Sequence, residues 1–303
     1  MRERREKYSC PNQDCKQYGS RAGHFYRREG QFITRWNHQP VPRYGCKECG
    51  KKFSSHTFRS TYQQKKPHLN KAIYQLYCSG MTQRRIAKQL RCNLKTVVRK
   101  FLFMAVEARL AHEAFLKRKA FSISEIQFDE MESFEHTRLK PLSLALAVSG
   151  DGKHILDARI GVLNYKGRLA GLARRRYGVR KDTSREARDS VWKTALGVAA
   201  PSGVNIITDA KPQYATEIGR RFKDYKNYHH LAVPNRRNLL QYAQNPLRRK
   251  NSNDPLFWLN HVAARLRHDL SRMMRKVWTT TKRKDRLEAH LSLFLAYYNG
   301  YVI

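Results

Sequence analysis

Four cysteines near the start of this chain restrict what its first segment can fold into. Cys10 and Cys15 form one close pair, and Cys46 and Cys49, followed by Gly50, form another. Two such pairs, each on a turn, supply the four soft ligands of a tetrahedral zinc ion. Gly50 permits a tight turn in which backbone amides point at the thiolates. Alternation in His24-Phe25-Tyr26 and Gln31-Phe32-Ile33-Thr34 predicts short strands between the pairs. Residues 1–62 read as a zinc ribbon whose small core leaves much of its stability to the metal. A redox CxxC or unrelated surface thiols are the alternatives, and His24 or His38 is a possible substitute ligand. The spacing of both pairs favours structural zinc. Cys78 and Cys92 read as small buried apolar residues.

Residues 65–118 read as a helix-turn-helix followed by a linker helix. A helix is expected over Leu69 to Tyr77, ended by Ser79-Gly80. Thr82 is placed to cap a second helix through Leu90, with Ile86, Ala87 and Leu90 facing inward. Arg91-Cys92-Asn93 forms the turn, and Asn93 caps a third helix from Leu94. Val97, Val98 and Phe101 anchor that helix, leaving Lys95, Thr96, Arg99 and Lys100 to face outward, as a helix entering a major groove requires. A plain helical packing unit is the alternative. Residues 102–118 continue as an amphipathic, basic helix.

From residue 120 to 303 the pattern turns to strands alternating with helices. Ile123 to Phe128 is strand-like and ends in Asp129. Leu142 to Val148 and His154 to Ile160 flank the turn Gly150-Asp151-Gly152. A very basic segment, Lys166 to Arg188, precedes a helix over Ser184 to Ala200. Val204 to Thr208 is a short strand ending in Asp209. A helix over Pro212 to Phe222, a strand over Tyr228 to Val233 and two helices near 255–278 and 283–298 complete the chain. This order is that of an RNase H-like domain, so the fold class is multidomain α+β. In that fold, Asp129 and Asp209 stand at adjacent strand ends, where two carboxylates can bridge a pair of Mg²⁺ or Mn²⁺ ions about 4 Å apart. Taken singly, each aspartate is as easily a turn former.

The charge balance points to the partner. Lys and Arg number 61 against 24 Asp and Glu, a formal net charge of +37, spread along the whole chain. Such a chain is built for a polyanion, of which double-stranded DNA is the commonest. No apolar run approaches the roughly 18–20 residues that span a bilayer. Met1 to Lys7 leads into cysteines rather than an apolar signal segment, so secretion is not supported and a cytoplasmic location is expected.

Three stretches, Arg43 to Phe53, Phe128 to His136 with Lys140-Pro-Leu-Ser143, and Ile207 to Tyr214, resemble bacterial insertion-sequence transposases that carry a zinc ribbon, a helix-turn-helix and an acidic-triad (DDE) domain. Leu259 to Ala263, Arg275 to Lys282 and Tyr298 to Tyr301 extend the resemblance over nearly the whole chain. It implies binding of terminal inverted repeats, metal-dependent strand cleavage and strand transfer, carried out by a homo-oligomer on paired DNA ends.

The third acid departs from the family pattern, which has Glu on the penultimate helix with Lys or Arg seven residues on. No Glu lies between Glu217 and Glu288. Asn260 with Arg267, and Asp269 with Lys276, both fit the spacing, but nine helical residues place them on opposite sides, so only one can face the metals. Alignment with the family favours Asn260, and the chemistry of Mg²⁺ favours the carboxylate of Asp269. Glu288 is an outside candidate. Glu130, next to Asp129, should point to the other face of the strand, away from the metals. His229 and His230, Trp258 and Trp278 read as packing or surface residues, and Arg174 to Arg176 and Arg248 to Lys250 as phosphate contacts. Two other functions remain: a catalytically decayed relative that binds DNA sequence-specifically, and a nuclease or resolvase acting on branched DNA.

Overall fold

The computed structural model describes residues 8–20, 24–35, 37–225, 227–233, 254–270, 272–273 and 281–300. The chain divides into two compact units, Met1–Ala72 and Ile73–Ile303.

The first unit is a three-stranded antiparallel sheet, β1 (Tyr26–Ile33), β2 (Pro40–Cys46) and β3 (Lys52–Ser54), in that order. The two short runs expected here are one strand, kinked by a bulge between Arg28 and Gln31 that reverses the inward face partway along. Its core is thin: Phe25 and Phe53 pack with Cys10, Cys15 and Cys46, bordered by Tyr8, Tyr26 and Tyr44. Tyr8 stacks on Phe58 with ring centroids 5.5 Å apart.

The second unit is a mixed α/β structure. It opens with α1 (Leu69–Cys78), which straddles the boundary, α2 (Gln83–Gln89) and α3 (Leu94–Arg118). Both expected caps are present. The Thr82 hydroxyl accepts from the Arg85 amide at 3.4 Å, and Asn93 Oδ1 accepts from the Lys95 amide at 2.8 Å. Nothing interrupts α3 where a separate linker helix was expected: Val97, Phe101, Met104, Ala108 and Phe115 form one buried stripe, so helix and linker are a single 25-residue element. That stripe also takes in Lys100, expected to face outward but only 3% exposed; burial presses its ammonium down to about 8.

A five-stranded sheet follows, built from β4 (Glu125–Phe134), β5 (Pro141–Ser149), β6 (Ile155–Val162), β7 (Val204–Asp209) and β8 (Tyr228–Val233) in the order β6-β5-β4-β7-β8. The first three strands form an antiparallel meander; β7 runs parallel to β4, and β8 parallel to β7. β5 is buried along almost its entire length, as a strand covered on both faces must be. On one face, Ile126, Phe128, Ala145 and Ala147 pack with Val191, Trp192 and Ala195 of α5 (Ser184–Val198) and with Tyr214, Ile218 and Phe222 from α6 (Pro212–Arg221) and its end. α7 (Phe257–Asp269) packs on β4 and β5, and α8 (Lys284–Tyr298) on β6 and α3. The basic segment before α5 contains a further helix, α4 (Ala170–Tyr177), which charge had hidden from the sequence pattern.

Two boundaries differ from expectation. Asp129 does not end its strand: β4 continues to Phe134 because its antiparallel pairing with β5 continues, Asp129 opposite Leu146. What ends there is the pairing with β7, whose last partners are Phe128 and Thr208. The helix expected to reach residue 278 stops at Asp269. Leu270 turns extended, and Leu270 and Met273 bury themselves from a non-helical backbone, so the apolar spacing that suggested a longer helix serves a turn. Lys276, Val277, Trp278 and Arg248 to Lys250 lie outside the described residues.

Candidate functional site

In the first unit the four cysteines converge. Their sulfurs all lie within 4.8 Å of one another, with Cys10 and Cys49 3.5 Å apart and Cys15 and Cys46 3.8 Å apart. Thiolates about 2.3 Å from a shared zinc form a tetrahedron with edges of about 3.8 Å, so the cluster can hold a metal such as zinc. Gly50 takes φ +69° and donates its amide to the Cys46 carbonyl at 3.0 Å, closing the turn. The Lys51 amide, more than any other group, brings the Cys49 thiol down to about 6, whereas burial drives Cys10 up to about 12. Neither His24 nor His38 joins the group.

In the second unit the two aspartates come together. β4 and β7 are parallel neighbours in register at Phe128 and Thr208, so Asp129 and Asp209 follow side by side where β7 ends. A single ammonium links them: Lys211 Nζ lies 3.3 Å from Asp129 Oδ1 and 3.6 Å from Asp209 Oδ2. It also lies 3.9 Å from Glu130 Oε2 and donates to the Tyr214 hydroxyl at 2.9 Å. Burial, and then the charge of Asp129, holds the Asp209 carboxyl above its ordinary 3.8. Burial presses Lys211 downward, but Asp129, Asp209 and Glu130 outweigh it and keep the ammonium above its usual range.

Glu130 was expected to face away from Asp129, and its main partners do lie on the α5–α6 side. It accepts from Ser143 Oγ at 2.6 Å, Arg188 Nη1 at 3.2 Å and the Tyr214 hydroxyl at 3.0 Å. Arg188 in turn grips Glu217 through Nε and Nη2, with Nη2 to Oε1 at 2.8 Å, and Trp192 Nε1 donates to Glu217 Oε2 at 3.2 Å. The side chains of Arg188, Glu130 and Glu217 are all less than a tenth exposed. The Tyr214 hydroxyl reaches both Glu130 and, at 3.4 Å, Asp129 Oδ1, tying this buried network to the carboxylate pair. Burial first, then Glu130, keeps that phenol from ionising.

Sequence reasoning missed this network, although a signal was present. Tyr214, Glu217 and Ile218 share one buried helical face, as do Ala187, Arg188, Val191 and Trp192. A charged residue within an apolar stripe requires a buried partner of opposite sign.

The two candidates for a third ligand sit in different surroundings. The Leu259 amide donates to Gln127 Oε1 at 3.0 Å, and Gln127 shares a strand face with Asp129, so the first turn of α7 lies against that face. Asn260 is exposed in this turn, its amide donating to Asp254 Oδ2 at 2.8 Å. Asp269, at the other end of α7, pairs with Arg265 at 3.1 Å and His268 at 2.8 Å. It lines a cavity of about 320 Å³ with Tyr77, Gly80, Thr82 and His290, none of which partners Asp129 or Asp209. Glu288 pairs with Lys284 at 3.5 Å and borders a different cavity, beside His112 and Asp157.

Among the remaining residues, Glu132 meets Lys166 at 3.1 Å on the surface. His230 Nε2 contacts Thr208 Oγ1 at 2.9 Å, and His229 is exposed on β8. Arg174 to Arg176 form the last turn of α4. Trp258 covers Gly152, where a Cβ would fall 2.2 Å from its ring. Among the described residues no helix is long and apolar enough to cross a membrane. The chain matches no protein-family model and no curated protein sequence.

Proposed function

We propose that this protein is an insertion-sequence transposase of the DDE type, a zinc ribbon followed by a helix-turn-helix and an RNase H-like domain. The observation that carries this reading is the Asp129–Asp209 pair, side by side on parallel strands with oxygens 3.3 and 3.6 Å from one ammonium. The pair already gathers positive charge, and its hard oxygens suit Mg²⁺ or Mn²⁺. The carboxylates of Asp129 and Asp209 are the groups that would hold such an ion. When bound, the metal supplies activation of the attacking oxygen and neutralisation of the leaving one. Tyr214 and Lys211 restrain Asp129 Oδ1, and Arg188 neutralises Glu130 beneath it. The β6-β5-β4-β7-β8 order, an antiparallel meander extended by parallel strands, supports the RNase H-like assignment.

Double-stranded DNA is the partner we assign. Lys95 and Arg99 stand exposed on the first turns of α3, and Arg85, Lys88 and Arg91 line the adjacent open groove. Action as a homo-oligomer on paired ends and a place on the bacterial nucleoid belong to the same proposal. The test is strand transfer by purified protein on labelled element ends with Mn²⁺. Wild-type activity that disappears in Asp129→Ala and Asp209→Ala supports the enzyme; activity retained in both refutes the site.

A second reading, a decayed transposase that only binds DNA, is favoured by Asn260. Its helical turn lies on the Asp129 face, yet it brings an amide, while the carboxylate of Asp269 is engaged at the other end of the helix. Tight, sequence-selective binding of the ends without any cutting in Mg²⁺ or Mn²⁺ would establish it.

A further inference from the structure

Lys211 occupies an unusual position for a surface-reaching lysine. Its ammonium lies within 4 Å of three carboxylates on two strands, at 3.3 Å from Asp129, 3.6 Å from Asp209 and 3.9 Å from Glu130. Its backbone is anchored at the head of α6, where its amide donates to Asp209 Oδ1 at 3.3 Å. Its side chain, in contrast, is 38% exposed, so the four-carbon stem has an open way out. Arg188, the other cation of the network, has none, with 9% of its side chain exposed and a three-bond grip on Glu217.

We infer that Lys211 is a built-in counter-cation that competes with a divalent metal for the Asp129–Asp209 pair, so that metal entry requires its ammonium to swing out. The inference rests on the metal-binding reading of that pair. Lys211 Nζ sits between the Asp129 and Asp209 carboxylates, where a divalent ion held by the same pair would need the same space, and at such separations the two positive charges repel strongly. With Lys211 inward, the repulsion between the two adjacent carboxylates is partly offset, so the pair is held close before metal arrives. Tyr214 suits an exchange: its hydroxyl accepts from Lys211 at 2.9 Å and has two carboxylate acceptors in reach, Glu130 at 3.0 Å and Asp129 at 3.4 Å, so it keeps a donor bond when the lysine departs. Lys211 is thus a positioning residue that sets the metal threshold of the site.

A purely structural lysine and a metal competitor give opposite results on removal. The experiment titrates zinc-loaded, full-length wild type, Lys211→Met, Lys211→Gln and Asp209→Asn with Mn²⁺, reading free Mn²⁺ by electron paramagnetic resonance. Both lysine variants should bind Mn²⁺ roughly tenfold or more tightly than wild type, and Asp209→Asn should lose binding. Unchanged or weaker binding in the lysine variants, with Asp209→Asn still defective, overturns the competition while leaving the metal site standing. Equal binding by Asp209→Asn and wild type overturns the metal site and the competition together. Acetylation of wild type, followed by mass spectrometry, needs no variant to fold: Mn²⁺ should raise the labelling of Lys211 several-fold, and protection by Mn²⁺ refutes the displacement.

Discussion

Replacing Arg188 by methionine removes the positive charge from the centre of the second unit while leaving a stem of similar length. The guanidinium makes three hydrogen bonds to Glu217, at 3.1, 3.0 and 2.8 Å, and one to Glu130 at 3.2 Å. All three side chains are at most 9% exposed, so water cannot replace the lost contacts. Breaking a buried ion pair by deleting one partner costs about 3–5 kcal/mol. Here Glu217 loses its cation outright and Glu130 keeps only Lys211, at 3.9 Å, which puts the expected loss at the upper end of that range. Against a typical domain stability of about 5–15 kcal/mol, that is a third or more of the total. Equilibrium urea unfolding followed by circular dichroism measures it. The deficit should also depend on pH. Buried carboxylates without a counterion take a folded-state pKa above the unfolded one, so their protonation stabilises the variant at low pH, and that help is lost as pH rises through the folded value. Arg188→Met should therefore approach wild type as the medium is acidified. A loss below about 1 kcal/mol at pH 7 would refute the reasoning, because a solvated surface pair is worth no more than that.

If the four cysteines hold a metal such as zinc, stripping it with a strong chelator, or substituting Cys46→Ser, should unfold the strands of Met1–Ala72 and leave those of Ile73–Ile303 intact; hydrogen exchange resolved by segment reads this, and equal protection of both units in the chelated protein is the contrary result. Asn93→Ala, which deletes the cap on the Lys95 amide, should cost about 1 kcal/mol, and Asn93→Asp close to nothing; a neutral alanine in thermal unfolding would count against the cap. Because Asp209 is held above 3.8 by burial and by Asp129, its ionisation works against folding as pH rises through the folded value. Asp209→Asn should then be more stable than wild type at pH 7 in the absence of divalent metal, the advantage fading as pH falls below the ordinary aspartate value. Lower stability of Asp209→Asn at pH 7 would contradict that sign.

Local chemistry was legible in the sequence wherever the residues concerned lie close together in the chain. Thr82 and Asn93 cap helices with atoms two or three residues away, and Gly50 closes its turn on Cys46. The two cysteine pairs already carried the ligand set, and the turn residues between strands marked most of the sheet. Asp129 and Asp209 were found because both follow apolar strand runs, and parallel register then set them side by side.

Tertiary structure alone decided what surrounds them. Lys100 keeps a helical spacing that reads as exposed, yet packing along α3 buries it. The apolar spacing through Leu270 and Met273 suits a longer helix equally well, and only the way those side chains bury ends it at Asp269. Asn260 and Asp269 are equally placed by spacing, and it is the docking of Leu259 on Gln127 that distinguishes their surroundings. Glu130, Arg188 and Glu217 sit 58 and 29 residues apart along the chain, and no local pattern pairs them. Helical and strand periods specify which face a residue occupies. Which charges share that face depends on how distant elements pack, and the low-dielectric interior beside this sheet is where that packing gives a cation such as Arg188 its particular partners.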